Sequence, residues 1–405
     1  MTERIDILIV GGGLVGASLA LALEAAGRRA TLLEAAAPRA AVGGQHASDD
    51  DRNLVLARAS VNALKALRVW PRLEAAAGTI RRVEVSRAGE FGRLRMTAAD
   101  AGVDALGRVV PGSVLGAALQ HQLATCSRVQ RLAPARLISM EPAVSGWRAR
   151  IAVADGERDI EARLVVGADG SDSLVRKQLG IGAQAHDYGQ SLFVCTITCE
   201  RDIPDCAFER FTDEGPVALL PLPNQRRGLV LTVSADRHDE IAAMEDAAFV
   251  ALAQQRFGWK LGALSRPGRR FPHYIRRMLA DAVIAPRAVL IGNAAQTVHP
   301  IGAQGFNLGL RDALTLAELI AGSDDPGASV LLNEYAVRRA PDRDGVLAFS
   351  HGLIALGCLA QPALAPLRSL ALLALDGIPP LRHAVAHRGM GFRGVPPSAV
   401  LDAGP

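Results

Sequence analysis

The sequence is poor in aromatic residues and has no long run of basic ones. Phenylalanine, tryptophan and tyrosine make up 4% of the 405 residues, and the formal net charge is only +4. Nucleic-acid-binding surfaces need clustered Lys and Arg, and single strands also need aromatic rings on which bases stack. The composition therefore argues against a nucleic-acid partner.

Cysteine is also scarce, and the five cysteines form no paired framework (Cys126, Cys195, Cys199, Cys206 and Cys358). Cys195 and Cys199 share one face of a predicted strand, so they are either a pair of metal ligands or two small buried apolar residues. We assign no metal ligand. The N-terminus lacks a charged-then-apolar leader, so we expect a cytoplasmic protein, with the inner face of the membrane as a peripheral location.

The first forty residues carry the motif around which the chain is organised. An apolar strand from Ile5 runs into Gly11, Gly13 and Gly16, which have the G-x-G-x-x-G spacing, and a helix and a second strand ending at Glu34 follow. The three glycines permit a tight turn, close approach of a pyrophosphate and close helix–strand packing, and the acid is placed to bind a ribose. This pattern predicts a dinucleotide site at the helix N-terminus.

Arg52 follows an acidic run at residues 49–51 and precedes a helical pattern from Leu54 to Leu67. An isolated arginine is usually a surface cation. Next to a dinucleotide it would also serve as an anion clamp, because a guanidinium binds phosphate oxygens through two donors.

A second candidate site lies where the predicted strand Ile160–Val166 runs into Gly167-Ala-Asp-Gly170. Asp169 then stands at the carboxyl end of a strand, where ligands bind in open α/β sheets. The alternative is a capping turn, because Asp-Gly is common turn chemistry. The sequence leaves both interpretations open.

Residues 190–234 consist of short alternating segments separated by Pro, Asn and Gly turns. This pattern is typical of an antiparallel sheet with one solvated or ligand-facing side. Together with residues 80–98, it indicates a second domain inserted into the first.

A strand, a Gly/Ala-rich loop and a helix start recur late in the chain, at Arg287–Gly292, 293–305 and Phe306–Ala321. This helix start can also stabilise negative charge. His299 in the loop is either a general base or, because His-Pro is common in turns, a structural corner.

The C-terminal part is helical and apolar, and residues 345–367 contain no charged side chain. That length approaches a membrane span, but Pro362 and Pro366 interrupt it. The alternatives are helices packing on the body of the protein or on a second copy, and a face lying against a membrane surface.

Taken together and in this order, the three glycine-containing segments resemble the group A flavoprotein aromatic hydroxylases, which have the para-hydroxybenzoate hydroxylase fold. The resemblance is narrower to the ubiquinone-biosynthesis branch of that family and extends from the first strand to about Glu334. Four further segments carry it: 208–212, 215–221, 257–262 and 292–301.

The resemblance implies that the cofactor is FAD, with NAD(P)H as a transient reductant. Gly11, Gly13 and Gly16 would cradle its pyrophosphate, Glu34 would bind the adenosine ribose, and Arg52 would reach the flavin. The remaining residues that the resemblance assigns to the cofactor are Asp169, Gly170, Gly292, Asn293, Pro300, Gly302, Gln304, Gly305 and Asn307.

Two positions depart from the wider family pattern. Asn293 stands where that family has Asp, although the ubiquinone branch itself has Asn; the amide still hydrogen-bonds but carries no charge. The loop 302–305 has the sequence Gly-Ala-Gln-Gly in place of Ala-Gly-Gln-Gly. If Ala303 takes a positive φ, its methyl group adds strain, whereas a shift of the loop by one residue would avoid this.

The expected fold is α/β: a Rossmann-like FAD-binding domain with an inserted antiparallel-sheet substrate domain and a C-terminal helical region. The predicted boundaries are 1–79, 99–185 and 276–335 for the FAD-binding domain, 80–98 and 186–275 for the substrate domain, 336–390 for the helical region and 391–405 for a loose tail.

The resemblance implies an FAD-dependent monooxygenase that hydroxylates the ring of a polyprenylated phenol in ubiquinone biosynthesis, using NAD(P)H and O2 through a C4a-hydroperoxyflavin. Other ubiquinone-biosynthesis proteins are expected partners, and no catalytic side chain is assigned. The alternatives are a hydroxylase of a soluble phenol or polyketide, a reductase of prenyl double bonds, and a flavin-binding scaffold without turnover.

Overall fold

The computed structural model describes residues 3–37, 52–357 and 361–401. The acidic run at 49–51 and Cys358 lie outside these ranges. The strands of the described residues are β1 (Glu3–Val10), β2 (Ala30–Leu33), β3 (Asn53–Ala57), β4 (Gly78–Ile80), β5 (Arg82–Arg87), β6 (Arg93–Thr97), β7 (Gly107–Pro111), β8 (Val129–Leu132), β9 (Ala135–Ala143), β10 (Gly146–Val153), β11 (Gly156–Gly167), β12 (Ala183–Cys199), β13 (Cys206–Phe211), β14 (Val217–Pro221), β15 (Arg226–Ser234), β16 (Leu264–Ser265), β17 (Phe271–Ala280), β18 (Ile284–Ala285), β19 (Ala288–Leu290) and β20 (Gln296–Thr297).

The α-helices follow the same chain order. They are α1 (Leu14–Ala25), α2 (Arg58–Ala66), α3 (Gly112–Leu123), α4 (Leu174–Gln178), α5 (His238–Ala242), α6 (Asp246–Phe257), α7 (Gln304–Ala321), α8 (Ser329–Gly357), α9 (Ala365–Gly377) and α10 (Pro379–Gly389). Together with the strands they confirm the mixed α/β fold expected from the sequence.

The first sheet has a parallel centre in the order β19-β11-β1-β2-β8. Its strands are buried on both faces, which explains why β1 ends in the continuous apolar run from Ile7 to Val10. Helix α1 is apolar all round because it packs between this sheet and α7, and its residues from Gly16 to Leu23 are all buried.

The second sheet has the order β20-β17-β12-β15-β14-β13-β5-β6, and β16 adds to β12. All its neighbouring strands are antiparallel except β13 and β5, which run parallel because the chain returns to the edge of the sheet from a distant segment. One face packs on α6, where Phe208 of β13 meets Phe257. The other face is turned toward the first sheet.

The sequence predicted a helical pattern from Leu54 to Leu67, but the structure is not helical over the whole of this run. Residues 53–57 form β3, which pairs antiparallel with β7, and the helix α2 begins only at Arg58. The cause is the distant partner strand, since a short apolar run fits either structure locally.

Helix α8 packs on α7 through a buried network of ion pairs. The Arg311 guanidinium donates to both carboxylate oxygens of Asp342, with Nε–Oδ2 at 2.6 Å, and Arg339 donates to both Asp342 and Asp312. All four side chains are at most 4% exposed. Asp312 also accepts the backbone N–H of Gly292, so the network joins α8 to the late glycine loop.

Helix α9 lies across β6 and the turn before it. Asp376 accepts from the backbone N–H and the guanidinium of Arg95, and Arg368 donates to Glu90. Arg87 donates to the same Glu90 carboxylate, so that this acid is shared between the second sheet and α9. The C-terminal helices are therefore fixed to the rim of the second sheet.

The tail is not loose as far as residue 401. Val400 is fully buried, its carbonyl accepts from Asn62 at 3.0 Å, and Ser398 donates to Glu318. The expectation of a loose tail from residue 391 was wrong for these residues, because Gly and Pro set the path of a chain without preventing it from packing. The predicted domain boundaries otherwise stay a prediction.

Within the described ranges, we find no helix that combines the length and the apolar character needed to cross a bilayer.

Candidate active site

One large cavity of about 1500 Å³ lies between the first sheet and the second. Pockets that hold a single small ligand usually measure ~300–1,000 Å³, so this cavity can hold two. Most of the residues predicted from the sequence line it: Gly13, Glu34, Arg52, Gly170, Asn293, Pro300, Gly302, Gln304, Gly305 and Asn307. Gly11, Gly16, Asp169 and Gly292 do not.

In the first glycine turn, two glycines are required by the fold and the third lines the cavity. Gly11 has φ +106°, and a Cβ there would strike the backbone at Ala168; a Cβ at Gly16 would overlap the carbonyl oxygen of Gly11. Both positions therefore need glycine for the fold itself. Gly13 differs, because a Cβ added there would meet no protein atom within 4 Å. The space beside Gly13 belongs to the cavity.

Glu34 stands at the end of β2, beside the turn, and its Oε1 accepts the N–H of Ala36 at 2.8 Å. On the other side of the turn Gln120 of α3 donates to the carbonyl of Gly12 at 3.3 Å and accepts from Arg131. Gln120 and Arg131 also line the cavity and were not predicted from the sequence. Neither residue belongs to a motif, so only the packing of α3 on the turn reveals them.

The Asp169 carboxylate accepts hydrogen bonds from the residues of the turn that follows it. It accepts the hydroxyl of Ser173 at 2.5 Å and the backbone N–H groups of Leu174 and Val175 at 2.7 and 3.1 Å. Of the two interpretations left open by the sequence, the geometry supports the capping turn. Gly170, with φ +83°, follows at the cavity wall.

The late loop ends in two consecutive residues with positive φ, Gly302 at +66° and Ala303 at +50°. Ala303 therefore takes the left-handed conformation that the family's glycine would adopt more easily, at a cost of roughly 1 kcal/mol. Helix α7 begins immediately afterwards without a side-chain cap, so its first N–H groups have no capping partner, and residues of the helix start line the cavity. Among the described residues, the buried Oε1 of Gln304 has no hydrogen-bond partner.

Asn307 holds this helix start against β3. Its Oδ1 accepts the N–H of Ala57 at 2.9 Å, and its Nδ2 donates to the carbonyls of Val55 and Ala303 at 2.8 and 2.7 Å. Its polar atoms are thus used by the protein, and Asn307 positions the loop. Gly292, with φ +56°, packs on Val15 behind the wall, while Asn293 next to it is exposed to the cavity.

His299 is buried, and burial lowers its pKa to about 4. Its Nδ1 accepts the backbone N–H of Ile301 at 3.1 Å, which leaves the proton of the neutral ring on Nε2, 3.3 Å from Oε1 of Gln190. A ring whose acceptor nitrogen is occupied is poorly placed to act as a base. The geometry favours the structural corner among the two alternatives for His299.

The far half of the cavity has walls that the sequence analysis did not assign. The inner face of the second sheet supplies mainly apolar side chains, and α9 supplies Leu372 and Leu375. Cys195 lies on the other face of this sheet, in the apolar core, and burial raises its pKa to about 12. In the described part of the chain, no three His, Cys, Asp or Glu side chains are grouped as metal ligands.

The residues present fit an extended dinucleotide such as FAD. Two helices, α1 and α7, begin at the cavity without a side-chain cap and without an acidic residue in the first turn. Such ends stabilise anionic groups. The open space at Gly13 admits a pyrophosphate against the backbone, and Gln304 Oε1 is a buried acceptor without a partner among the described residues. That each of these residues holds FAD stays a prediction.

Comparisons with known proteins agree with this geometry. Residues 4–350 match the protein family described as FAD binding domain. The chain is 35% identical over 392 residues to the ubiquinone hydroxylase UbiL of Rhodospirillum rubrum, covering 95% of this chain and 89% of that protein. It is 33% identical over 343 residues to the 3-demethoxyubiquinol 3-hydroxylase of Escherichia coli, covering 83% and 86%. The crystal structure of the p-nitrophenol 4-monooxygenase PnpA from Pseudomonas putida matches with a TM-score of 0.79 at 17% identity, over 97% of this chain and 100% of that one, and shows a shared fold.

Proposed function

The chain belongs to the FAD-binding-domain family, as a group A flavoprotein hydroxylase of ubiquinone biosynthesis, and from that premise we propose that it hydroxylates the ring of a polyprenylated phenol. NAD(P)H is the reductant in this proposal, and O2 is the second substrate. Within that family, the sequence most resembles 2-octaprenyl-6-methoxyphenol hydroxylase. We therefore propose a prenylated methoxyphenol as the class of substrate.

The observation that carries the proposal is the division of the cavity into two chemically different halves. One half is formed by the glycine turns and the two uncapped helix starts. The other half is apolar and is closed by the second sheet and α9. A dinucleotide suits the first half and an apolar aromatic substrate suits the second, so that ring and cofactor would meet near Pro300.

The apolar half also suits a prenyl tail. Burial of a methylene contributes roughly 0.8 kcal/mol, so one five-carbon unit enclosed between the sheet and Leu372 and Leu375 would contribute about 4 kcal/mol. The tail could therefore dominate binding, and a phenol without it would bind far more weakly.

When bound, the flavin supplies the redox chemistry that activates oxygen with electrons from the nicotinamide. The residues of the chain position it and exclude water. In our proposal the α1 start and Gly13 hold the pyrophosphate, Glu34 binds the ribose, and the α7 start faces the ring system. The apolar walls keep water from the reacting groups.

The outer face of α9 supports a further part of the proposal, peripheral contact with a membrane from which a prenylated substrate could enter. Leu367, Leu370 and Leu373 are 65%, 57% and 41% exposed. These leucines lie on the opposite side of the helix from Leu372 and Leu375, so α9 separates the cavity from an apolar outer surface. Contacts with other proteins of ubiquinone biosynthesis belong to the same proposal.

The test uses purified protein with its visible spectrum recorded before and after addition of FAD. NAD(P)H oxidation is then measured with a 2-prenylated phenol and with the same phenol lacking the tail. We expect a flavin spectrum and a product heavier by one oxygen, formed efficiently only from the prenylated phenol. A protein that stays colourless contradicts FAD binding, and equal efficiency with both phenols favours a hydroxylase of soluble phenols.

A further inference from the structure

Glu209 is an acid in an apolar row of the cavity wall. It lies on β13 between Phe208 and Arg210, and Phe208 points to α6 on the opposite face of the sheet. Its neighbours across the sheet on the cavity side are Val85 of β5 and Ala218 of β14. Glu209 is thus directed into the half of the cavity that we propose for the substrate.

The Glu209 carboxylate has no hydrogen-bond or ion-pair partner among the residues that the structure describes. Glu209 is only partly exposed, toward the cavity. An unpartnered carboxylate among apolar side chains is costly for a protein, and such groups concentrate at functional sites. Burial alone raises the pKa of Glu209 to about 7. The side chain is therefore poised to change its protonation state near neutral pH.

The charged groups around Glu209 are engaged elsewhere. On β5, two residues along the same face, Arg87 donates to Glu90, and Arg368 of α9 donates to the same carboxylate. The strands β6, β14 and β15 present no charged side chain to this half of the cavity. The remaining titratable groups that face it come from β17: His273, Tyr274 and Arg276.

We propose that Glu209 anchors the substrate ring by accepting the hydrogen bond of its phenolic hydroxyl and taking its proton during hydroxylation. This proposal rests on the proposed function and adds a catalytic residue to it. An electron-rich ring reacts faster with an electrophilic oxygen, and a phenolate is richer than a phenol. A general base that faces the ring in a dry cavity supplies that difference.

The proton transfer is balanced. The O–H bond of the phenol breaks, its electron pair stays on the ring oxygen, and the proton forms a bond to a carboxylate oxygen of Glu209. After the ring carbon has gained its hydroxyl and lost its own hydrogen as a proton, the carboxyl proton returns to the ring oxygen. Glu209 ends the cycle ionised, ready for the next phenol.

The first measurement is of binding and does not require turnover. At pH 6 the free Glu209 is mostly protonated, and a phenol that donates to its carboxylate must displace that proton. We expect calorimetric titration with a prenylated phenol, in two buffers of different ionisation enthalpy, to show release of up to one proton per site. Glu209→Gln should bind the phenol without releasing a proton. Equal proton release by the variant, or no release by the wild-type protein, would overturn the proposal.

The second measurement is kinetic. Glu209→Gln should lower kcat by ~100-fold or more, change KM much less, and remove the inflection near pH 7 from the pH profile of kcat/KM. Glu209→Asp keeps the carboxylate and should restore part of the rate. The matched control is Glu84→Gln, since Glu84 lies on β5 with its side chain paired to Lys260 on the other face of the sheet.

The two proposals fail in different ways. If the wild-type protein forms no hydroxylated product from any prenylated phenol, the proposed function fails and with it the catalytic role of Glu209, and proton release on binding then tests only whether its carboxylate binds the phenolic hydroxyl. If the wild-type protein hydroxylates the phenol and Glu209→Gln matches it in kcat and pH profile, only the role of Glu209 is wrong. Retained FAD content and unfolding temperature show that each variant is folded.

Discussion

The substitution Gly13→Ala separates what the first turn does for the fold from what it does for the cofactor. Gly13 has φ −65° and ψ −174°, which alanine adopts without strain, and a Cβ there meets no protein atom within 4 Å. Alanine is a poorer residue than glycine at a helix N-cap by ~0.5–1 kcal/mol, but it also restricts the unfolded chain by a similar amount. The unfolding free energy of the FAD-free protein should therefore change by less than about 0.5 kcal/mol.

The effect on FAD should be larger. If the pyrophosphate lies at this turn as proposed, the added methyl group occupies the space through which it reaches the N–H groups of the α1 start. A hydrogen bond to a charged group is worth about 1.5–3 kcal/mol, so losing one should raise the Kd for FAD by roughly 10- to 100-fold. FAD titration followed by flavin fluorescence measures the Kd, and thermal unfolding of the same FAD-free preparation measures stability.

Two further glycines serve as controls. Gly377→Ala adds a methyl group in equally open space at the end of α9, outside the cavity, and should leave the Kd unchanged. Gly16→Ala places a Cβ closer to the Gly11 carbonyl than the 3.0 Å that side chains keep, and should cost about 3 kcal/mol or more with or without FAD. An unchanged Kd in Gly13→Ala would refute the placement of the pyrophosphate at this turn.

Three other predictions concern stability and the apolar half of the cavity. Asp342→Asn should destabilise the protein by ~3–5 kcal/mol in urea unfolding, because it breaks a buried ion-pair network. The control Asp344→Asn, on the exposed side of α8, should change the unfolding free energy by less than about 0.5 kcal/mol. Glu209→Gln should stabilise the FAD-free protein by up to about 3 kcal/mol at pH 8 and not at all at pH 4.5. The pKa of Glu209 is about 7 in the folded protein and 4.5 in the unfolded chain, so the wild-type protein loses stability as the pH rises between these two values. The glutamine variant has no carboxylate to ionise and does not lose this stability. Leu372→Ser should raise KM about tenfold for a prenylated phenol, since ~1.4 kcal/mol of apolar contact with the tail is lost, and should leave KM unchanged for the phenol without a tail. The exposed Leu370→Ser should change neither KM value and should weaken co-sedimentation of the protein with liposomes.

The parts of the site that could be predicted from sequence are those in which backbone geometry dictates the residue type. Gly11 takes a φ of +106°, and a Cβ at Gly16 would overlap the Gly11 carbonyl oxygen, so both requirements arise within the strand–turn–helix unit even though a Cβ at Gly11 would also meet the distant Ala168 backbone. The late loop is similar, because its motif lies directly between a buried strand and the start of α7. In both cases the local sequence and the tertiary fold impose the same constraint.

Other features depend on partners that are distant in the chain. The run that begins at Leu54 became β3 because β7, about fifty residues later, pairs with it. Asp169 could be assigned to its capping turn only when the positions of the N–H groups of Leu174 and Val175 were known. Val400 is buried because α2 offers it a site through Asn62. None of these partners can be identified from periodicity alone.

The role proposed for Glu209 also could not be predicted from the sequence. In an alternating strand, a single acid looks like any solvent-facing residue until the structure shows what covers that face. Here the cover comes from the first sheet and from α9, which is fixed to the rim by Glu90 between Arg87 and Arg368. The apolar side chains that would hold a prenyl tail are therefore the same ones that surround Glu209, and a bound tail would exclude water from it. Because removing water strengthens a hydrogen bond to a charged acceptor, a bound tail would tighten the contact between the ring hydroxyl and the carboxylate, so that tail binding would serve reaction as well as affinity.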